Sequence, residues 1–128
     1  QKHGFIRCIY GIYDNSHRLL ARRQKIDADI ANIKINKFNE PFKVYIFGKD
    51  NFERMVNLGF DCVLVNENPA PFDLIKHQYR NKMELIKYAL ENDFESVEYL
   101  DWDCVPIKKL SDNLWETNEK LFFLWFAS

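Results

Sequence analysis

The residues of this chain best suited to hold a cation are two aspartates one position apart, Asp101 and Asp103, in the stretch Glu98-Tyr-Leu-Asp-Trp-Asp-Cys-Val-Pro106. In an extended chain residues i and i+2 point the same way, roughly 6–7 Å apart, so both carboxylates would project to one side and Trp102 to the other. Magnesium and manganese prefer carboxylate and water oxygens and take their remaining ligands from substrate phosphates. Two carboxylates at a strand end suit that coordination. Aspartate is also an ordinary turn residue at a strand exit, so the pair alone does not decide between the two roles.

The other metal-capable side chains do not gather. Cys8, Cys62 and Cys104 form no CxxC pair, and His3, His17 and His77 are scattered, so neither a zinc site nor a disulfide framework is expected. The cysteines read as reduced, buried thiols and the histidines as polar surface. A formal net charge of −1 argues against a broad nucleic-acid or anionic-membrane surface, so any bound phosphate must be gripped locally. A divalent ion is one way for a near-neutral protein to do that.

The 128 residues are 47% apolar and 29% charged, with 11 Phe, 6 Tyr and 3 Trp, which is the composition of one folded domain. No run approaches the ~20 apolar residues of a membrane span, and no signal-peptide pattern opens the chain, so a cytoplasmic protein without a transmembrane segment is expected. Gln1 is not an initiator methionine, and the sequence halts inside the apolar run Leu121-Phe-Phe-Leu-Trp-Phe126, so the chain is read as a fragment.

Short apolar, β-favouring runs alternate with amphipathic ones. Strands are predicted at Phe5 to Tyr10, Phe42 to Phe47, Asp61 to Val65 and Val97 to Asp101. Between them lie a helix from the Asp14-Asn-Ser16 cap to about Asn36, with Leu19, Ile26, Ile30 and Ile33 on its apolar face, and a helix from about Asn51 to Leu58 ending at Gly59. The Pro69 and Pro71 loop follows. A third helix carries Tyr79, Met83, Ile86, Leu90 and Phe94 as its buried stripe. A helix near Ser111 to Glu119 and a strand at Leu121 to Phe126 close the series. This alternation predicts an α/β fold: a mostly parallel, Rossmann-like sheet with helices on both faces, binding ligands at its carboxyl edge. The strand exits there are Gly11 to Asp14, Gly48 to Asp50, Asn66, and Asp101 to Asp103. Glu98, inside the last of these strands, fits only if one edge of it meets solvent.

The apolar strand ending in Asp-X-Asp, followed by Val105-Pro-Ile-Lys-Lys-Leu110, resembles the DXD region of GT-A glycosyltransferases. The likeness runs from the first strand to Trp115, but only the part from about Tyr79 to Leu110 is specific. The resemblance implies a single donor-binding, nucleotide-sugar domain over 1–128, lacking the acceptor-binding half. The implied activity is manganese- or magnesium-dependent transfer of a sugar from a nucleotide diphosphate sugar to a glycan or other hydroxyl acceptor. It implies that Asp101 contacts the ribose or a metal-bound water and that Asp103 ligates the metal. It places Arg80 and Lys82, on the helix before the motif, near the donor phosphate or sugar. Trp102 joins the donor-binding set, and Tyr10, Tyr13, Asp14 and Asp50 are donor-binding candidates by position after the first two strands. Core packing for the tyrosines and helix capping for Asp14 are the alternatives, and the stripe Arg18, Arg22 and Lys25 reads as a solvated face rather than an acceptor-binding patch. No residue is identified as a catalytic base or nucleophile. Two rival readings stand beside this one: a nucleotidyltransferase, whose usual Gly-rich, Lys/Arg-bearing loop after the first strand is not matched by Gly11-Ile-Tyr-Asp-Asn-Ser16, and a non-catalytic binding domain.

Overall fold

The computed structural model describes residues 3–11, 17–67 and 78–108, and within its first and third helices the side chains from 23 and from 80 onward. The described chain is an α/β unit: strand β1 (His3–Ile9), helix α1 (His17–Ile35), β2 (Phe42–Phe47), α2 (Lys49–Asn57), β3 (Asp61–Asn66), α3 (Gln78–Asn92) and β4 (Ser96–Tyr99). The four strands form one sheet in the order β3-β2-β1-β4, every neighbouring pair parallel. Parallel strands need crossovers, and the three described helices occupy the three connections.

Residues 5–9 of β1 are buried, as expected of a strand with neighbours on both sides and helices on both faces. Alternate side chains therefore enter two different cores. On one face Ile6 and Cys8 of β1 and Tyr45 and Phe47 of β2 pack with Leu85, Ala89 and Phe94, mainly from α3. On the other, Ile9, Val44 and Ile46 pack with Ile30 and Ile33 of α1, Met55 of α2 and Trp102. The apolar face predicted for the first helix is thus the buried one at Ile30 and Ile33.

The predicted face of the third helix is corrected. Met83 is 61% exposed and Leu90 43%, whereas Leu85 and Ala89 are fully buried. The helix ends at Asn92, so Phe94 lies beyond it and cannot fix the rotation of its stripe. Asp93 and Phe94 both donate their backbone N–H to the Ala89 carbonyl as the helix closes.

Glycines serve at two tight places. Gly48, φ 94°, ends β2 and caps α2, and its N–H donates to the Asn66 carbonyl (2.8 Å) at the exit of β3. Gly4 lies under Phe94, where a side chain on residue 4 would collide with the ring. Glu98 sits on β4, at the edge of the described sheet, half-buried. The predicted segments Ser111 to Glu119 and Leu121 to Phe126 lie outside the described residues, as do most of the Pro69 and Pro71 loop and the side chains of Arg18, Arg22 and Tyr79. Among the described residues no helix is long and apolar enough to cross a membrane.

Candidate functional site

From β1 the chain moves one way through β2 to β3, then returns to the opposite side of β1 for β4. The carboxyl ends of β1 and β4 therefore flank the point where the order reverses, the place at which open parallel sheets leave a crevice for ligands. Tyr10 and Gly11 lead out of β1 there, and Leu100, Asp101, Trp102 and Asp103 lead out of β4.

Strand β4 stops at Tyr99, two residues earlier than its sequence suggests. Asp101 and Asp103 are consequently not on an extended strand. The Cys104 N–H donates to the Asp101 carbonyl (2.9 Å), closing a turn with Trp102 and Asp103 at its centre. Alternation along a strand is thus not what orients the two carboxylates.

Buried side chains set the turn. Trp102 is 7% exposed, donates its indole N–H to the Cys8 carbonyl (2.8 Å), and meets Phe42 and Phe60 edge-on at centroid separations of 6.2 and 5.8 Å. Its side chain belongs to the core, so the expected donor-binding role gives way to an anchoring one. Beside it, the fully buried Arg7 guanidinium lies 4.7 Å from the Phe42 ring centroid and 5.5 Å from that of Trp102. Arg7 donates to the carbonyl oxygens of Asp101 (2.5 Å) and Cys104 (3.0 Å), the first and last residues of the turn. Burial lowers its pKa to about 10, so it remains a cation at neutral pH. The planar fork of Arg7 spans both carbonyls, which a lysine ammonium could not do in the same geometry.

The Asp101 carboxylate faces outward, and that of Asp103 is partly buried. Asp101 is 54% exposed at its side chain and has the Lys82 ammonium 3.6 Å from one oxygen. Tyr99 is close to the same carboxylate; burial first, and the interaction with Asp101 next, hold the phenol well above its ordinary pKa. Asp103 has the Lys25 ammonium at 4.0 Å, and Lys25 also pairs with Asp29 (3.2 Å) one turn on. Lys82 belongs to α3 and Lys25 to α1, so the two ammonium groups approach the turn from helices on opposite faces of the sheet.

Of the residues expected at a site, the structure brings Lys82 to Asp101 and keeps Asp103 within the same turn. Tyr10 is half-buried against the α3-side core. Arg80 is exposed on α3. Asp50, in the first turn of α2, lines a different feature, a groove of about 840 Å³ between α1 and α2. That groove is bordered by charges of both signs, with Arg54 and Asp27 ion-paired in its wall. The turn, by contrast, presents carboxylates at the sheet's reversal point. Tyr13 and Asp14 lie outside the described residues.

Arg7 and Tyr99 enter the site without having been singled out in the sequence, and Lys25, read there as part of a solvated face, is exposed beside Asp103. Tyr99 had the one available signal, its position two residues before Asp101 at the end of the strand that leads to it.

Among the described residues no group of three or more His, Cys, Asp or Glu side chains could enclose a metal. Two carboxylates alone would not enclose a cation; magnesium and manganese keep waters and share substrate oxygens, so either ion would need a phosphate to complete its shell here. No protein-family model, curated protein or solved structure matches the chain.

Proposed function

We propose that this chain is the donor-binding portion of a metal-dependent glycosyltransferase of the GT-A type, which transfers a sugar from a nucleotide diphosphate sugar to a hydroxyl acceptor. The observation that supports the reading most is the turn of residues 101–104, which presents two aspartates at the reversal point of a parallel sheet while Arg7 grips its two ends from below.

In this reading Asp101 and Asp103 hold a manganese or magnesium ion, which when bound offsets the charge of the departing nucleoside diphosphate. The Lys82 ammonium, already at Asp101, lies where it can reach a diphosphate oxygen. Arg7 and Trp102 keep the turn in one conformation, so the carboxylates need not be ordered when the donor arrives. The base and ribose are assigned to the exits of β1 and β2, with Tyr10, Tyr13, Asp14 and Asp50 as candidates by sequence position, and Arg80 of α3 is assigned to the donor phosphate or sugar. The acceptor's general base is assigned to no residue.

Calorimetry with uridine or guanosine diphosphate tests the reading. Manganese should tighten binding by about tenfold or more, equivalent to ~1.4 kcal/mol. Asp103→Ala should abolish that increment while circular dichroism stays unchanged. Equal binding in manganese and in chelator would remove the basis for the proposal.

A further inference from the structure

Each carboxylate of the turn already has a cation beside it, and the cation at Asp101 is held in an unusual way. The Lys82 Nζ is 3.6 Å from the Asp101 oxygen, beyond the 2.7–2.9 Å typical of a charge-assisted hydrogen bond. The same Nζ lies 4.3 Å from the centroid of the Tyr99 ring. The lysine side chain is only 25% exposed, so the ammonium is partly desolvated between an aromatic face and a carboxylate.

We propose that Lys82 is the resident counter-ion of Asp101, and that it exchanges the carboxylate for a phosphate oxygen when a divalent cation and a diphosphate bind together. This rests on the donor-binding role assigned to the turn. The ring of Tyr99 makes the exchange short: it retains the ammonium on its face while the carboxylate turns to the metal, so the lysine need not return to bulk water.

The charges around the turn give the exchange a definite energetic signature. Arg7, Lys25 and Lys82 all lie close to the two aspartates. A divalent cation arriving alone must displace Lys82 and leave it without a counter-charge. A diphosphate arriving alone meets two carboxylates. Arriving together, the cation takes the carboxylates and the diphosphate takes the ammonium, so each ligand strengthens the other. Lys82 therefore opposes the bare metal and favours the metal–diphosphate pair.

The test replaces the lysine by an uncharged side chain of similar length, Lys82→Met, with Lys87→Met as control, since Lys87 pairs with Glu91 on an exposed part of the same helix. Manganese binding without nucleotide is followed by the loss of the free-ion paramagnetic resonance signal, and uridine diphosphate binding with manganese by calorimetry. For Lys82→Met the bare manganese should bind a few-fold tighter than in the wild type, while the diphosphate should bind several-fold weaker in manganese. Lys87→Met should change neither. Wild-type protein with manganese-dependent diphosphate binding, but no tightening of bare manganese in Lys82→Met, overturns the counter-ion role and leaves the donor site standing. A wild type without manganese-dependent diphosphate binding overturns both.

Discussion

The Arg7 guanidinium, inside the sheet, donates to the main-chain carbonyl of Asp101, 94 positions away, and not to its carboxylate. The charge that fixes the aspartate's position thus leaves its side-chain oxygens free to face outward. A strand residue with no direct access to ligand becomes, through the backbone, the support of the candidate site.

Replacing Arg7 should affect stability and site together. Arg7→Met keeps the apolar contacts with Phe42 and Trp102 but leaves the Cys104 carbonyl without its Arg7 donor and the Asp101 carbonyl with the Cys104 N–H alone, at a cost of about 2–4 kcal/mol. Arg7→Lys should recover little of this, since one ammonium cannot bridge both carbonyls. Urea denaturation measures the loss. A fully stable Arg7→Met would mean that the turn holds itself.

Gly4 of β1 lies close beneath the ring of Phe94, just beyond the end of α3. A Cβ on residue 4 would stand 2.4 Å from the Phe94 Cε1, and the ring is buried with little room to move. Gly4→Ala should destabilise by about 1–3 kcal/mol through overpacking. Shrinking the ring in Gly4→Ala/Phe94→Leu should cost less than the sum of the two single changes. Strict additivity would show that the two residues do not meet.

Glu98 gives the fold a pH dependence. Burial raises its carboxyl pKa above the ordinary 4.5, so the folded chain holds this proton more tightly than the unfolded chain does. Its contribution is therefore most favourable below 4.5 and declines as pH rises through the raised folded value, above which the fold carries a poorly solvated charge. Glu98→Gln should be the more stable protein at neutral pH, with the difference shrinking on acidification below 4.5. Thermal melts across that range check the sign; a less stable Glu98→Gln at neutral pH would point to a favourable partner for the charge.

Strands were more legible in the sequence than helix faces or turns. Phe42 to Phe47 matches β2 residue for residue, because a short β-favouring run stopped by glycine has few other conformations open to it. On α3 apolar residues occur nearly all round, at Met83, Leu85, Ile86, Ala89 and Leu90, so spacing alone allowed more than one buried stripe, and counting Phe94 into the helix selected the wrong one. The reach of β4 was overestimated because nothing in Leu-Asp-Trp-Asp shows that the Cys104 N–H will fold back on Asp101. Of the site, the aspartates and Lys82 could be named from their positions around a strand end. Arg7 could not: a single charge in an apolar strand becomes informative only when its acceptors are located, and they are backbone atoms without a sequence signature.

The strand order also governs when the site can first exist. A chain synthesised from its amino end presents β1 early, and β2 and β3 can assemble on one side of it, but the opposite side stays vacant until β4 has emerged. Through that interval the β1 edge carries unpaired backbone groups, and Arg7 is a buried-to-be cation without acceptors, because the carbonyls it needs belong to residues 101 and 104. Closure of β4 onto β1 is a late, long-range event of the kind that slows folding. The nascent chain therefore acquires its sheet's first half before it can acquire the turn of residues 101–104 at all.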